Sequence, residues 1–155
     1  MTRVIETPVG KLKIEADERA ITGIWFNATA NVTPGRATGV VAELERQLAA
    51  YFGGRLTEFD VPLAPRGTPF QLDVWTALQG IPYGETRSYT DIAKRIGRAN
   101  AVRAVGAANG QNPIPIVIPC HRVIGANGSL TGFGGGLKMK AQLLDLERGL
   151  RAFDW

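Results

Sequence analysis

The stretch SYTDIAKRIGRANAVRAVGAANG, residues 88–110, predicts two short helices joined by a tight turn. Ser88 followed by Asp91 is a capping-box pattern, and the helix that it starts is expected to end at Gly97. Asn100 is the expected N-cap of the second helix. The inner face of this second helix is expected to contain Ala101, Val105 and Ala108. Helices of this size with a tight glycine turn are typical of a helix-turn-helix.

The outward face of the second helix carries a single long side chain. The positions on this face are Arg103, Gly106, Ala107 and Gly110. A protein that reads base edges in the major groove needs several long polar side chains. This face therefore favours close, shape-based and sequence-tolerant contact with a narrow groove. An alternative stays open on the pattern alone, namely that the small residues let this helix pack tightly inside the protein.

Downstream, the run Ile118-Pro119-Cys120-His121-Arg122-Val123 places the only cysteine beside the only histidine. A thiol next to an imidazole and a guanidinium is a candidate nucleophile, because cations lower the pKa of a thiol and the thiolate is the reacting form. A free cysteine is also a common buried filler, and His121 a common structural residue. The preceding prolines, at 113 and 115, favour a fixed extended path that presents Cys120 at a turn.

Composition limits the class of protein. The 155 residues are 45% apolar, which suits one compact unit or two small subdomains. No apolar run reaches membrane-spanning length and the amino terminus lacks a signal-peptide core, so we expect a cytoplasmic protein without membrane contact. A single cysteine excludes an intrachain disulfide and, with a single histidine, argues against a zinc site. We expect neither a metal nor a cofactor.

Positive charge is concentrated in one part of the chain. The net charge is +4, yet residues 86–140 hold eight lysines and arginines and one acid, Asp91. A cationic segment around the thiol suits a polyanion, and nucleic acid is the commonest such partner. The alternative is a solvated, charged surface without a partner.

The first part of the chain predicts a small antiparallel sheet with a packed helix. Expected strands are Arg3–Glu6, Lys11–Ala16 and Ala20–Phe26. The helix is indicated by an apolar stripe of Val41, Leu44, Leu48, Tyr51 and Phe52. A connector rich in proline and glycine precedes a third helix start, with Thr68 as the cap and Pro69 at the first helical position. We therefore expect an α/β (α+β) protein with two domains, residues 1–66 and 67–155.

The segment after the thiol predicts a loop and a closing helix. Residues 125–136 are glycine-rich, and Phe133 offers a face on which a base can stack. The closing helix is expected over Leu137–Arg148, with a core stripe of Met139, Leu143, Leu146 and Leu150. Glu147 lies at the edge of this stripe, so it either reaches inward to orient His121 or is a solvated helix-end acid. Spacing alone favours the solvated acid.

Several of these motifs together resemble the O6-alkylguanine-DNA alkyltransferase (methylated-DNA–protein-cysteine methyltransferase) family, stand-alone bacterial type. The segments that carry the resemblance are Pro119-Cys120-His121-Arg122-Val123, Arg103-Ala104-Val105-Gly106, Asn112-Pro113 and Gly134-Gly135-Gly136-Leu137. The resemblance implies a ribonuclease H-like first domain and a helical second domain that contains the helix-turn-helix. It also implies DNA repair by irreversible, single-turnover transfer of an alkyl group to the cysteine, with O6-alkylguanine as the main substrate and O4-alkylthymine as a second candidate.

The same resemblance implies catalytic roles for four residues. Cys120 accepts the alkyl group, and His121 acts as the base through a bound water. Glu147 orients the histidine and Asn112 braces this network. An unperturbed thiol is only about 3% ionised at pH 7, so the network must either raise that fraction or remove the proton during attack. Without a second thiol to take over the alkyl group, each molecule is expected to react once.

For DNA, the resemblance implies a monomer that binds alkylated duplex through the minor groove with little sequence preference. Tyr89 crowds a phosphate to rotate the nucleotide out, and Arg103 fills the vacated stack. Further expected DNA contacts are Thr90, Arg98, Arg122 and Ala126. The expected walls of the base pocket are Pro115, Phe133, Gly134 and Gly135. Relatives often carry tyrosine and serine where this chain has Phe133 and Gly134, a difference that points towards bulkier alkyl groups as substrates.

Two other functions use part of this pattern. A cysteine hydrolase would use the same thiol over many turnovers and needs no helix that flips a base. A non-catalytic damage-binding protein would keep the pocket and Arg103 but needs no nucleophile, so Cys120 argues against it.

Overall fold

The first 25 residues form a three-stranded antiparallel sheet in the computed structural model, which describes residues 1–151 and 153. The strands are β1 (Thr2–Thr7), β2 (Gly10–Ala16) and β3 (Ile21–Trp25), in the spatial order β1-β2-β3. The turn between β1 and β2 ends at Gly10, whose φ of +101° is in the left-handed region that glycine tolerates. Each strand agrees with its predicted position to within one or two residues.

Helix α1 (Gly39–Phe52) covers this sheet, as its apolar stripe predicts. All five stripe residues, Val41, Leu44, Leu48, Tyr51 and Phe52, are completely buried. The connector that follows adds backbone pairing to the free edge of β3, since Ile21 N donates to Pro62 O and Ala64 N donates to Ile21 O. The connector therefore stays attached to the sheet until it reaches the next helix.

Three helices form the next layer: α2 (Pro69–Gln79), α3 (Tyr89–Arg95) and α4 (Val102–Gly110). Thr68 and Ser88 both cap their helices through complete capping boxes, as predicted. The prediction for α4 is wrong at its start, because the N-cap residue is Ala101 and no side chain caps this helix. Asn100 lies one residue too early and is exposed.

The last part of the chain returns to the middle of the molecule. Strand β4 (Arg87–Ser88) pairs in parallel with β5 (Val123–Ile124), and helix α5 (Leu137–Glu147) closes the fold. Of the predicted α5 stripe, Met139, Leu143 and Leu146 are buried, but Leu150 lies beyond the helix end and is 73% exposed. The helix ends before Leu150 can reach the core.

One continuous apolar core joins the sheet, the helices and the segment around Cys120. At the contact between the two halves, Ile24 N on β3 donates to Pro113 O at 2.9 Å. The division into domains 1–66 and 67–155 stays a prediction, and residues 152, 154 and 155 of its second part lie outside the described residues. Among the residues that are described, no helix is long and apolar enough to cross a bilayer.

Candidate active site

Cys120 begins a single 3₁₀ turn, Cys120–Arg122, directly before β5. The approach to this turn is held by the side chain of Asn112, whose Nδ2 donates to Ile118 O at 2.7 Å and whose Oδ1 accepts from Ile114 N at 3.0 Å. Between these two anchors, Ile116 has a φ of +73°, a conformation that costs a β-branched residue free energy. The prolines and Asn112 therefore fix a strained path that places the thiol at one position.

Glu147 is the centre of a buried polar network behind the thiol. Its Oε2 lies 2.6 Å from His121 Nε2 and accepts from Tyr51 OH at 2.6 Å. Its Oε1 accepts from Arg122 Nε at 2.7 Å, and the Arg122 guanidinium also donates to Ile81 O. The prediction that Glu147 is a solvated acid at the helix end, which spacing favoured, is therefore wrong. The last turn of α5 faces inward and Glu147 is only 6% exposed.

The charges in this network are set by their surroundings. Burial alone raises the pKa of Glu147, but the hydrogen bond with His121 and the hydrogen bonds and charge of Arg122 outweigh it and lower the pKa to about 2. Burial lowers the pKa of His121, although Glu147 partly opposes this, so we infer that the ring is neutral at pH 7.

The tautomer of His121 follows from its partner. An ionised carboxylate only accepts hydrogen bonds, so a neutral ring must carry its proton on Nε2, facing Glu147. Nδ1 then bears the lone pair, and it is buried without a hydrogen-bond partner among the described residues. His121 is therefore arranged to accept a proton at Nδ1.

The thiol itself is held in its protonated form. Burial raises the pKa of Cys120 to about 11, and a hydrogen bond from Asn112 and the charge of Lys140 offset this only in part. The expectation that the adjacent imidazole and guanidinium lower the pKa of this thiol is wrong, because burial outweighs the opposing contributions and the Arg122 guanidinium bonds to Glu147. Of the two routes to a thiolate, the structure thus favours removal of the proton during attack.

Lys140 is a buried cation that sequence analysis counted as part of the basic surface. Its Nζ donates to Val123 O at 2.6 Å and to Thr131 O at 2.7 Å, and the residue is completely buried. It thereby joins β5 to the glycine-rich loop. Its position three residues before Leu143 and seven before Glu147, on the inward face of α5, was the signal that could have found it.

Replacing Lys140 by methionine is expected to lower the free energy of unfolding by about 1–3 kcal/mol, since two carbonyl groups lose their donor. Urea unfolding followed by circular dichroism measures this change. Lys138→Met is the matched control, because Lys138 is exposed two residues earlier on the same helix. Equal stability of the two variants would contradict the structural role of Lys140.

A cavity of about 420 Å³ opens onto Cys120. The expected wall residues Pro115, Phe133 and Gly134 line it. Gly135 does not, because it packs against the side chains of Phe133 and Met139 and supports that wall from behind. The sequence analysis missed the contribution of β3 and the residue after it, since Ile24, Trp25 and Phe26 also line the cavity.

Most of the residues expected to contact DNA lie at the surface. Arg103, Arg98 and Ala126 are exposed, whereas Tyr89 and Thr90 are half-buried at the start of α3. The outward face of α4 is open at Arg103, Ala107 and Gly110 and half-buried at Gly106, so tight helix packing does not explain its small residues. The Tyr89 hydroxyl contacts the hydroxyl and the carbonyl oxygen of Thr131.

The expectation that Arg122 contacts DNA does not fit the structure. It is 7% exposed, and its guanidinium bonds to the Glu147 carboxylate and to Ile81 O. A side chain committed to a buried carboxylate does not reach a DNA surface. Its place in the motif next to the cysteine and histidine is explained by this ion pair.

Comparison with known proteins identifies the family of this chain. Residues 69–149 match the model of the 6-O-methylguanine DNA methyltransferase DNA binding domain, and residues 1–65 match its ribonuclease-like domain. The chain belongs to the 6-O-methylguanine DNA methyltransferase family. Its fold class is accordingly that of this family, a ribonuclease-like part followed by a helical DNA-binding part.

Individual members of the family resemble the chain over most of its length. The methylated-DNA–protein-cysteine methyltransferase of Mycolicibacterium paratuberculosis is 52% identical over 152 residues, covering 94% of this chain and 91% of the relative. The constitutive enzyme of Bacillus subtilis is 47% identical and covers 92% of both. The crystal structure of Mycobacterium tuberculosis OGT in complex with DNA superposes with a TM-score of 0.88 at 49% identity, covering 97% of this chain and 94% of that one.

Proposed function

We propose that this protein repairs DNA by moving an alkyl group from the O6 atom of guanine, and also from O4 of thymine, onto Cys120. The observation that carries this proposal is a lone thiol at the wall of a cavity, with the buried His121–Glu147–Arg122 network behind it. The relatives support it, since those described above are named for methyl transfer from DNA to a protein cysteine.

Transfer requires that the thiol lose its proton as the new bond forms. The Cys120 sulfur attacks the alkyl carbon, the S–C bond forms and the C–O bond to the base breaks. His121 Nδ1 receives the thiol proton through a water molecule, and the imidazolium is stabilised by Glu147. The departing guanine carries negative charge that hydrogen-bond donors of the pocket must stabilise. We propose that Asn112 braces this network indirectly, by fixing the path to the thiol through its bonds to Ile118 O and Ile114 N.

The product explains why the reaction ends after one turnover. A thioether at Cys120 has no activated carbonyl that water can attack, and the chain has no second cysteine that could take over the group. We therefore propose a stoichiometric, irreversible transfer that needs no cofactor.

For the DNA complex, we propose binding through the minor groove by α3 and α4, with little sequence preference. The target atom is inaccessible inside a duplex, so the nucleotide must rotate out into the cavity. Arg103 is the single long side chain on the exposed face of α4 and fills the vacated stack, while Tyr89 at the start of α3 crowds the phosphate. Further contacts to the sugar-phosphate backbone of the DNA come from Thr90, Arg98 and Ala126. The protein acts as a monomer in the cytoplasm.

Mass spectrometry tests the proposed function directly. After incubation with excess duplex that contains O6-methylguanine, the peptide carrying Cys120 is expected to gain the mass of one methylene. The amount of modified protein should equal the amount of repaired DNA. Repair of several lesions per protein molecule, or an unmodified Cys120, would contradict the proposal and favour a hydrolase.

Replacing Arg103 by alanine is expected to slow transfer from duplex DNA by about 10-fold, because the extrahelical nucleotide loses the side chain that holds its place in the stack. The same variant should react with a single-stranded lesion at nearly the wild-type rate, since no stack needs filling. Rapid-quench kinetics on both substrates measures the difference. Arg66→Ala is the control for charge, because Arg66 is exposed in the connector. Equal duplex rates for wild type and Arg103→Ala would contradict this role.

A further inference from the structure

The cavity at Cys120 is built by both halves of the chain. The second half of the chain contributes residues 109–113, Pro115, Cys120 and residues 132–134 of the glycine-rich loop, and the first half contributes Ile24, Trp25 and Phe26. The hydrogen bond from Ile24 N to Pro113 O holds the end of β3 against the path that leads to the thiol. The position of these three side chains relative to the thiol is therefore fixed by backbone pairing.

Phe26 is the member of this group that packs directly against the glycine-rich loop. Its ring centroid lies 5.3 Å from that of Phe133, with the two planes tilted by 50°. Asn27, directly after it, has a φ of +53°, so the chain turns sharply at the end of β3 and leaves Phe26 at the cavity wall. The side chain is only half-buried although it packs against the core.

Trp25 forms the rim beside Phe26. Its ring lies flat over Gly23, where a side chain would collide with it, and Lys13 Nζ lies 4.7 Å from the ring centroid on the neighbouring strand. These contacts lie beside a 43% exposed indole that lines the cavity. The wall from the first part of the chain is thus apolar and aromatic.

The cavity has space beyond the needs of a methylated base. Its volume of about 420 Å³ is within the range of pockets that hold drug-sized ligands. With a base against Phe133 and its alkyl carbon at Cys120, a methyl group ends at the sulfur. A larger substituent has to extend further, and the aromatic wall from the sheet is available to it.

We propose that Phe26 is a specificity-determining residue, whose ring receives the distal part of O6 substituents larger than methyl. This inference rests on the proposed function, because it concerns the same alkyl pocket. A benzyl group packs on Phe26 during transfer, whereas a methyl group does not reach it. The sheet of the first part therefore takes part in substrate selection.

The test compares two lesions in one duplex sequence, O6-methylguanine and O6-benzylguanine, through their second-order rate constants of transfer. For Phe26→Ala, the ratio of the benzyl rate to the methyl rate is expected to fall about three- to ten-fold, the effect of losing one aromatic contact with the larger substituent. Phe26→Leu keeps an apolar surface and is expected to fall between wild type and Phe26→Ala. Phe59→Ala is the matched control, since Phe59 is equally half-buried but does not line this cavity.

Each outcome separates this inference from the proposed function. If both rates fall by the same factor in Phe26→Ala, stay unchanged, or the benzyl rate rises, Phe26 does not receive the substituent. A shift of the benzyl-to-methyl ratio in Phe59→Ala of the same size would also overturn the inference, because general loosening would then explain it. If the wild-type protein forms no adduct at Cys120 with either lesion, the proposed function itself fails.

Discussion

Replacing Cys120 by serine is expected to abolish alkyl transfer, with a loss of at least about 10³-fold in rate. A hydroxyl holds its proton far more tightly than a thiol, and oxygen is a weaker nucleophile towards an alkyl carbon than sulfur. The pKa of the Cys120 thiol is already raised to about 11 by burial, so proton removal is demanding even for the native residue. His121 is too weak a base to remove the proton from a serine hydroxyl at this position. Incubation with O6-methylguanine duplex and measurement of the intact protein mass detect any adduct.

The same variant is expected to keep its fold and its DNA affinity, because the DNA surface is proposed to lie on α3 and α4. Serine is smaller than cysteine and more polar, so a loss of about 1 kcal/mol in the free energy of unfolding is expected at this 5% exposed position. Cys120→Ala is the control that removes the polar group as well. Transfer by Cys120→Ser at a rate near that of wild type would show that another residue accepts the alkyl group.

Much of the fold was predictable because local signals agree with it. The five buried positions of α1 follow a helical stripe, and the capping boxes at Thr68 and Ser88 mark helix starts through contacts within four residues. The predictions were wrong at helix ends that no contact between neighbouring residues determines. The first residue of α4 has no side-chain cap, and the end of α5 leaves Leu150 in solvent.

The site was predictable only in part, since its contacts join distant segments. The motif around Cys120 identified the nucleophile and the histidine. The Tyr51 hydroxyl reaches Glu147 across 96 positions of the chain, and periodicity identified Tyr51 only as a core residue. Phe26 was predicted as the end of a strand, and nothing in its neighbourhood indicates that β3 docks beside Pro113. The inward direction of Glu147 came from the resemblance, whereas spacing favoured the opposite.

Replacing Glu147 by glutamine is expected to affect activity and stability together. The amide can donate to His121 Nε2, which favours the tautomer with the proton on Nδ1 and removes the lone pair that accepts the thiol proton. The imidazolium also loses its counter-charge. Transfer from O6-methylguanine duplex, measured by rapid quench, is therefore expected to slow by about 10²-fold or more. A rate within two-fold of wild type would contradict the proposed relay.

The stability effect of Glu147→Gln has a pH dependence with a defined sign. At pH 7 the variant leaves the Arg122 guanidinium buried without a counter-ion, which is expected to cost about 3–5 kcal/mol in urea unfolding. The pKa of Glu147 is about 2 in the folded protein against 4.5 for the ordinary side chain, so its contribution is complete above pH 4.5 and is lost as the pH falls towards 2. The difference between wild type and variant should accordingly shrink from pH 5 to pH 3.

Glu43→Gln, which removes an exposed carboxylate paired with Arg46, is the control and should change stability little, because solvent screens that pair. A difference for Glu147→Gln that stays constant over this pH range would show that folding does not lower the pKa of Glu147, and the proton relay through His121 would lose its support.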